Sequence, residues 1–403
     1  MSPVHSTSRR SRGPLGLAAV AAAAVLGVSG CSIDLSHLRP GGGDEPSPSP
    51  TPVDAAPLLE TALESLRGQP AVTVQGQLSA TENSIVSDIS LTTTAAGASY
   101  GTLQESENEA EVMAADSRIF VNAPEEYWLD QNVINPDTDS YADNWVRVSA
   151  RQLGFDPGAV LAPAQLADII GAMAPDGGRA TLENLDGTTA YRVDLQGGEQ
   201  NRVWIGEESG ELLRAEIEQL APEDAEDGPR SRLNFTPAEP ADVEAVYTDA
   251  LAVANDGLKG APDSRLPVNW SGQLELNCET GGACTVSGTV KDDSDGDSGD
   301  SVVVRMDATV SNNELGSKEC DDTGTLKAGG TVDLSCGVDF NLAPSASPQS
   351  YEVSGDAQLS TRALTGEARQ EFVNTIEEQR DAALANPSGS PSASPSPSES
   401  AGD

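Results

Sequence analysis

Five cysteines and two histidines carry most of the distinctive side-chain chemistry that this sequence offers. The histidines, His5 and His37, both stand near the N-terminus, so the body of the chain contains none. Ser-His-Asp and Cys-His catalysis are therefore excluded there, and so are zinc sites with histidine ligands. Paired carboxylates are another catalytic device, but among 64 acidic residues no single pair stands out. We expect no enzyme activity, no resident metal and no cofactor.

Cys31 stands directly after a segment with the layout of a signal peptide. Three arginines precede an uncharged, mostly apolar run at residues 15–26, which is shorter than the roughly 20 residues that a membrane span needs. The sequence Val-Ser-Gly-Cys that ends at Cys31 resembles the bacterial lipobox, in which the cysteine becomes acylated. We therefore predict a signal peptide over residues 1–30 and a two-chain lipid anchor on Cys31, at the extracytoplasmic face of the cell membrane. The route of export, Sec or twin-arginine, stays open.

The other four cysteines form an even set in a protein expected outside the cytoplasm, where disulfides persist. Cys278 and Cys284 lie 6 positions apart around a Gly-Gly turn, and Cys320 and Cys336 lie 16 apart around a glycine-rich segment. Four cysteines allow three pairings. We favour the two local pairs, because each would join the ends of an adjacent-strand connection.

The charge balance limits the kind of partner. The chain has 64 acidic and 23 basic residues and a formal charge of −41, which becomes −44 once the three arginines of the signal segment are removed. Nucleic acid would be repelled, so it is excluded as a partner. We interpret the acidity as a source of solubility rather than as a cation store.

Breaks in composition divide the chain into segments. We predict a Gly/Pro/Ser-rich linker at 31–52, a first domain at 53–238, a helical connector at 239–266, a second domain at 267–362, a helix at 363–386 and a disordered Ser/Pro tail at 387–403.

The first domain alternates between helical and strand-like spacing of apolar residues. Leucines recur at helical spacing over 58–66, and a second apolar helical face extends over 157–173. Strand-like segments lie at 71–78, 85–93, 111–121, 180–185, 188–195, 202–205 and 212–217, with an edge strand at 231–235. The economical fold is a twisted antiparallel sheet with the two helices on one face.

Four segments of this domain resemble a known family. They are 116–121 followed by Trp145-Val146, 185–193, 203–205 and 209–214. In these, and in the order of its elements, the region Val53–Ala238 resembles the LppX/LprAFG-type lipoproteins of actinobacteria, which have a LolA-like half-barrel fold. Two long acidic stretches and the added C-terminal half depart from that family and leave the ligand open.

The resemblance implies a cavity between the sheet and the helices that accommodates the acyl chains of a lipid or glycolipid. A packed core is the alternative interpretation of the same apolar residues. The candidates to line the cavity are Val112, Ile119, Leu161, Leu166, Ile169, Ile170, Val193 and Trp204.

The second domain is predicted to be a small all-β sandwich. Its strands are expected at 270–277, 285–291, 301–311, 330–335, 337–342 and 351–359. The segment 284–290 resembles immunoglobulin-like extracellular modules, which implies a fold and no activity. Residues 292–300 are rich in aspartate, but Ser298 and Val304 depart from the EF-hand pattern. We interpret this loop as a solvated hairpin tip, with calcium binding as the alternative.

The fold class expected is therefore α+β followed by all-β: a half-barrel sheet covered by helices, then a disulfide-stapled sandwich. Two function classes are favoured, and an enzyme is the third and weakest. The first is a membrane-anchored protein that binds or carries a lipid, and the second is a non-catalytic interaction or scaffold protein of the cell envelope.

Overall fold

The computed structural model describes residues 53–79, 86–131, 140–223, 225, 227–293, 301–343, 347 and 349–385. The signal peptide, Cys31, the linker up to residue 52, the tail at 387–403 and most of the aspartate-rich loop lie outside the described residues.

The first part of the chain builds one open, antiparallel, 12-stranded sheet. Its strands are β1 (Val53–Asp54), β2 (Ala71–Ser79), β3 (Ser87–Thr94), β4 (Ser99–Glu105), β5 (Asn108–Ala115), β6 (Arg118–Asn122), β7 (Trp145–Val148), β8 (Arg179–Leu185), β9 (Thr188–Asp194), β10 (Arg202–Gly206), β11 (Leu212–Ile217) and β12 (Arg230–Pro237). The order across the sheet is β1-β8-β9-β10-β11-β12-β2-β3-β4-β5-β6-β7.

Strand β12 lies in the interior of this sheet, so its prediction as an edge strand was wrong. It pairs with β11 on one side and with β2 on the other, and thereby joins the two halves of the sheet. Its residues alternate regularly, since Ser231, Leu233 and Phe235 are all buried while the residues between them are exposed. Such alternation is typical of any strand with one face on the core, inside the sheet or at its edge, so the pattern did not reveal the second neighbour.

Helices pack on both faces of the sheet. The helices are α1 (Ala55–Arg67), α2 (Glu125–Asp130), α3 (Ala150–Leu153), α4 (Pro157–Leu161), α5 (Pro163–Ala172), α6 (Pro240–Ala252), which continues into a π-helical turn (Val253–Gly257), and α7 (Gly366–Ala385). Helices α1, α4 and α5 cover one face, here called the inner face, and α6 and α7 cover part of the opposite, outer face.

Neighbouring residues of single strands show the two faces. In β5, Val112 packs in the inner core and Met113 in the outer one, and in β6 the same holds for Ile119 and Phe120. This follows from the two-residue period of a strand. The expectation that helices cover one face only was therefore incomplete, because the connector and the C-terminal helix supply a second layer.

The long helix predicted over 157–173 is two helices. It breaks at Ala162, whose extended backbone (φ −58°, ψ 136°) precedes Pro163. A residue before proline is disfavoured in the helical region, whereas proline itself is well placed in the first turn of a new helix.

The second domain consists of two small antiparallel sheets around one core. One sheet contains β13 (Val268–Trp270), β14 (Glu275–Cys278), β15 (Ala283–Asp292) and β18 (Thr331–Asp339), and the other contains β16 (Ser301–Asn312), β17 (Gly316–Lys327) and β19 (Ser354–Arg362). The predicted strand 270–277 is interrupted at Gly272, and the two strands predicted over 330–342 are one. The likeness to immunoglobulin modules stays a prediction.

Disulfides join Cys278 to Cys284 and Cys320 to Cys336, the two local pairs that the spacing favours. The first closes the β14–β15 hairpin within one sheet. The second connects β17 to β18, which belong to different sheets. It therefore links the two layers of the sandwich rather than two hydrogen-bonded neighbours.

Candidate functional site

Seven of the eight cavity candidates lie together in the inner core, between the sheet and helices α4 and α5. They are Val112, Ile119, Leu161, Leu166, Ile169, Ile170 and Val193, and each is buried. Their positions bring the predicted helix face against the predicted strands. They pack as a core, and among them Ile169 also lines a cleft that opens at the end of α5.

Trp204, the eighth candidate, lies on the outer face of β10 and cannot line a cavity beneath the helices. Its neighbours Val203 and Ile205 point into the inner core, so the strand period places Trp204 on the opposite side. There its indole Nε1 donates to Glu183, and the guanidinium groups of Arg202 and Arg214 lie 5.5 and 6.0 Å from its ring centroid. The prediction that Trp204 lines the cavity was therefore wrong.

The cleft at the end of α5 has a volume of about 810 Å³. Apolar side chains of α5 and the residue after it form one wall, namely Ile169, Ala172 and Met173. The other walls come from the β9–β10 connection, the segment after β11 and the ends of β2 and β12. This volume falls within the range of about 300–1,000 Å³ that is typical of ligand pockets.

Asn201 holds three walls of the cleft together. It is 5% exposed, and its Nδ2 donates to the carbonyl oxygen of Gln196 at 3.0 Å and lies 3.5 Å from the sulfur of Met173. Its Oδ1 accepts from the backbone N–H of Glu218 at 2.8 Å. A buried amide satisfied on both sides fixes the β9–β10 connection against α5 and β11.

The polar rim of the cleft carries charges of both signs. Arg230 donates to the side chain of Gln200, whose backbone N–H in turn donates to the carboxylate of Glu218 at 3.0 Å. Glu223 and Asp227 add further carboxylates. The rim therefore offers donors and acceptors around an apolar wall, which is an arrangement suited to an amphipathic molecule.

A second, smaller cleft of about 220 Å³ opens at the same end of the sheet. Glu105, 7% exposed, lies in it and accepts from Ser87 Oγ at 2.8 Å and from Gln131 Nε2 at 2.6 Å. Burial first, and then the charge of Glu105, raise the pKa of Tyr127. Leu78 lines this cleft and the adjacent Ser79 lines the larger one, so both open beside the end of β2.

Sequence reasoning did not single out Asn201 or the rim residues. The signal that was available is the Gly197-Gly198 turn, which predicts a tight connection just before a polar residue. Burial of that residue depends on the distant segments that surround it, and no local pattern encodes them.

Two properties of the described ranges bear on the predictions about membranes and metals. Among the helices that the structure describes, none is long and apolar enough to span a membrane. Within the same ranges, no three His, Cys, Asp or Glu side chains are grouped as ligands for a metal ion.

No family model and no curated protein matches the chain. Among solved structures, LprF from Mycobacterium bovis is similar over 46% of this chain and 96% of its own, with 14% identity and a TM-score of 0.29. MucB in complex with MucA(peri) is similar over 70% of this chain and 93% of its own, with 14% identity and a TM-score of 0.20. TM-scores this low do not support a conclusion about the function of this chain.

Proposed function

We propose that this chain is a non-catalytic, lipid-anchored protein of the extracytoplasmic membrane face, which binds an acyl chain of an amphipathic lipid in the cleft at the end of α5. The observation that carries the proposal concerns Ile169, which belongs to the buried inner core and also lines the cleft. The apolar interior is thus continuous with the opening. A polar surface groove would lack that continuity.

An acyl chain would enter along Met173 and Ile169 and extend beneath α5. Each methylene group transferred from water contributes about 0.8 kcal/mol, so a long chain can offset the displacement of α5 from the strands. Helix α5 is the element that would move, and it begins as a separate helix at Pro163.

The rim would receive the polar part of the ligand. Gln200 and Arg230 supply nitrogen donors, while Glu218 supplies acceptor oxygens. Three carboxylates at the rim disfavour a ligand that carries more than one anionic group. A headgroup rich in hydroxyls, as in a glycolipid, fits this mixture better than a multiply charged phosphate.

Replacement of Ala172 by Trp tests the proposal, because Ala172 is exposed and lines the cleft. In the chain from Ser32 onward, we expect Ala172→Trp to lower uptake of a fluorescent fatty-acyl probe at least tenfold, with an unchanged melting transition. The matched control is Ala382→Trp, at an exposed position of α7, which should bind the probe like the parent.

Mass spectrometry of lipids extracted from the purified chain gives a second measurement, since a carrier retains acyl-chain ligands. If the parent chain takes up no probe and retains no lipid, the proposal is overturned and the interaction protein of the envelope takes its place. Equal uptake by the parent and by Ala172→Trp would place the binding site outside this cleft.

A further inference from the structure

A third cleft lies where the chain after α6 passes between strands β7 and β19. It has a volume of about 150 Å³ and is lined by residues of three segments, 140–145, 257–262 and 359–362. These belong to the end of the first domain, the connector and the second domain. The cleft shares no lining residue with the one at the end of α5.

Backbone hydrogen bonds fix the walls of this cleft against one another. The N–H of Arg147 in β7 donates to the carbonyl oxygen of Pro262 at 2.9 Å. The N–H of Ala363, which follows β19, donates to the carbonyl oxygen of Ala261 at 2.7 Å. The connector is thus bonded to a strand of each domain, and the walls are in place before any ligand binds.

The indole of Trp145 forms one wall, and Gly257 lets the connector approach it. A Cβ atom at Gly257 would lie 2.6 Å from Cδ1 of Trp145, which is too close, and 3.0 Å from its Nε1. Within the part of the chain that the structure describes, Nε1 of Trp145 has no hydrogen-bond partner. Its N–H is therefore left to donate to a ligand in the cleft.

Arg362 supplies a positive charge that its surroundings compensate incompletely. Its Nη1 donates to the carbonyl oxygen of Thr361 at 2.9 Å, while a guanidinium group has five N–H donors. Asp307, the carboxylate that acts on Arg362, is bound by Arg305, with 2.7 Å between Nη2 and Oδ1. Burial first, and then the charge of Arg305, lower the pKa of Arg362. An anion in the cleft would stabilise this guanidinium group.

Lys259 adds a second positive charge to the cleft. Its Nζ lies 2.7 Å from Oδ1 of Asp256 in a solvent-exposed pair, and an ammonium group has three N–H donors. Among the residues that the structure describes, no aspartate or glutamate lines this cleft, although the chain has 64 acidic and 23 basic residues. A cationic cleft of this kind on an anionic protein suits an anion.

Ser360 supplies a hydroxyl group to the same cleft. Its Oγ is buried and has no hydrogen-bond partner. Buried hydroxyl groups are nearly always hydrogen-bonded, so one that is not calls for a partner from outside the protein. Ser360 and Arg362 stand on the same face of β19, because side chains two residues apart in a strand point the same way.

We propose that this cleft binds a phosphate group, either as the free ion or as the end group of a larger molecule. Arg362 and Lys259 would balance its charge, and Ser360 and Trp145 would donate to its oxygens. A phosphate group carries close to two negative charges and has three strong acceptor oxygens, so it matches two cations and several donors better than a carboxylate does. The proposal does not depend on the acyl-chain cleft at the end of α5.

The volume limits how much of a ligand the cleft can hold. It lies below the roughly 300–1,000 Å³ of pockets that bury a whole small molecule. A free phosphate ion could therefore enter completely, whereas the remainder of a larger phosphorylated molecule would stay outside.

Equilibrium dialysis with radiolabelled probes tests the proposal on the chain from Ser32 onward, which retains the compact unit of residues 52–403. The probes are inorganic phosphate, glycerol 3-phosphate and acetate. We expect the parent to bind one phosphate probe per chain and to bind acetate at least about tenfold more weakly. Tighter binding of inorganic phosphate would assign the free ion, and equal or tighter binding of glycerol 3-phosphate would assign an end group.

Three variants locate the site. Ser360→Ala removes a hydroxyl group that has no partner in the protein, so it should weaken phosphate binding severalfold without lowering stability in denaturant unfolding. Arg362→Gln combined with Lys259→Gln should weaken binding at least about 100-fold, since each removes a charge-assisted hydrogen bond worth about tenfold or more. The control pair Arg179→Gln with Lys327→Gln removes the same charge at exposed positions and should bind like the parent.

The proposal is overturned if the parent binds neither phosphate probe, or if acetate binds as tightly as phosphate. Equal loss of affinity in the cleft pair and the control pair would also overturn it, because the attraction would then come from overall charge. Parent-like binding by both Ser360→Ala and the cleft pair would place the phosphate elsewhere on the protein.

Discussion

The ring of Phe372 in α7 packs on the ring of Phe120 in β6, with 5.8 Å between the ring centroids. The two residues lie 252 positions apart and join the last described helix to the outer face of the first sheet. Arg118 also lies over the ring of Phe372, with 5.1 Å between its guanidinium carbon and the ring centroid. The chain thus returns after the second domain to complete the core of the first.

Replacement of Phe372 by Ala should weaken the packing of α7 on the outer face of the first sheet. The side chain is 1% exposed, and the loss of a buried Phe costs about 3–5 kcal/mol through lost burial and the cavity left behind. Denaturant unfolding measures the change. Leu384→Ala is the control, because Leu384 is 42% exposed in the same helix and should change stability by less than about 0.5 kcal/mol. Equal effects of the two variants would mean that α7 does not pack on the sheet.

A buried ion pair gives a prediction about pH. Arg265 Nη2 lies 2.8 Å from Oδ2 of Asp263, whose side chain is 1% exposed, and Arg147 lies 3.9 Å from the same oxygen. Burial is the main influence and raises the pKa of Asp263, while Arg265 and Arg147 oppose it. A carboxyl whose pKa is raised in the fold favours folding below its unfolded pKa of about 3.9, and this contribution is lost as pH rises through the folded value.

Arg265→Gln should therefore destabilise the protein more at pH 7 than at pH 4. At pH 7 the variant keeps a buried carboxylate with a weaker partner, which costs about 3–5 kcal/mol. At pH 4 protonation of Asp263 relieves part of that cost. Unfolding free energies of parent and variant at the two pH values measure the difference, and a loss independent of pH would show that Asp263 is not the group involved.

Strands with clear apolar alternation were predicted from the sequence to within a few residues, as for β2, β9 and β11. The β8–β9 turn is marked by Asp186-Gly187, whose positive φ values of 51° and 98° suit a tight hairpin. Such elements are predictable because the pattern and the turn residues are local.

Strands β4 and β17 were not predicted, and their composition explains why. β4 is partly buried on both sides and contains Gly101, so no clean alternation appears. In β17, Leu326 is the fully buried residue and most others are polar. Such strands exist because their neighbours pair with them, a tertiary effect that local propensity does not contain.

The candidate site was predicted only in part for the same reason. The apolar faces of α4 and α5 and of β5, β6 and β9 are local patterns, and the seven residues on them lie together. The position of Trp204 depends on which face of the sheet the helices cover, and the cleft depends on the distant segments that meet at Asn201. Neither is encoded in a single segment.

The two disulfides should contribute unequally. In the chain-entropy model a crosslink stabilises more when it closes a longer loop, which gives about 2 kcal/mol for the Cys278–Cys284 separation of 6 residues and about 3 kcal/mol for the Cys320–Cys336 separation of 16. The second bond also connects the two sheets. Double Cys→Ala variants compared by denaturant unfolding should therefore rank the Cys320–Cys336 variant as the less stable. The opposite order would show that strain or residual structure outweighs loop closure.

The lipid anchor gives the last prediction. Cys31→Ala should abolish acylation, because the lipobox cysteine supplies the sulfur that carries the diacylglyceryl group, and two acyl chains are what make anchoring stable. Fractionation of cells without detergent should move the variant from the membrane to the soluble fraction. Fractionation at low and at high salt separates lipid anchoring from electrostatic attraction between exposed charges. We expect the parent to stay with membranes at both, and the variant to be released completely at high salt, where attraction between exposed charges is screened. If the Cys31→Ala variant stays with membranes at high salt as completely as the parent does, Cys31 does not carry the anchor.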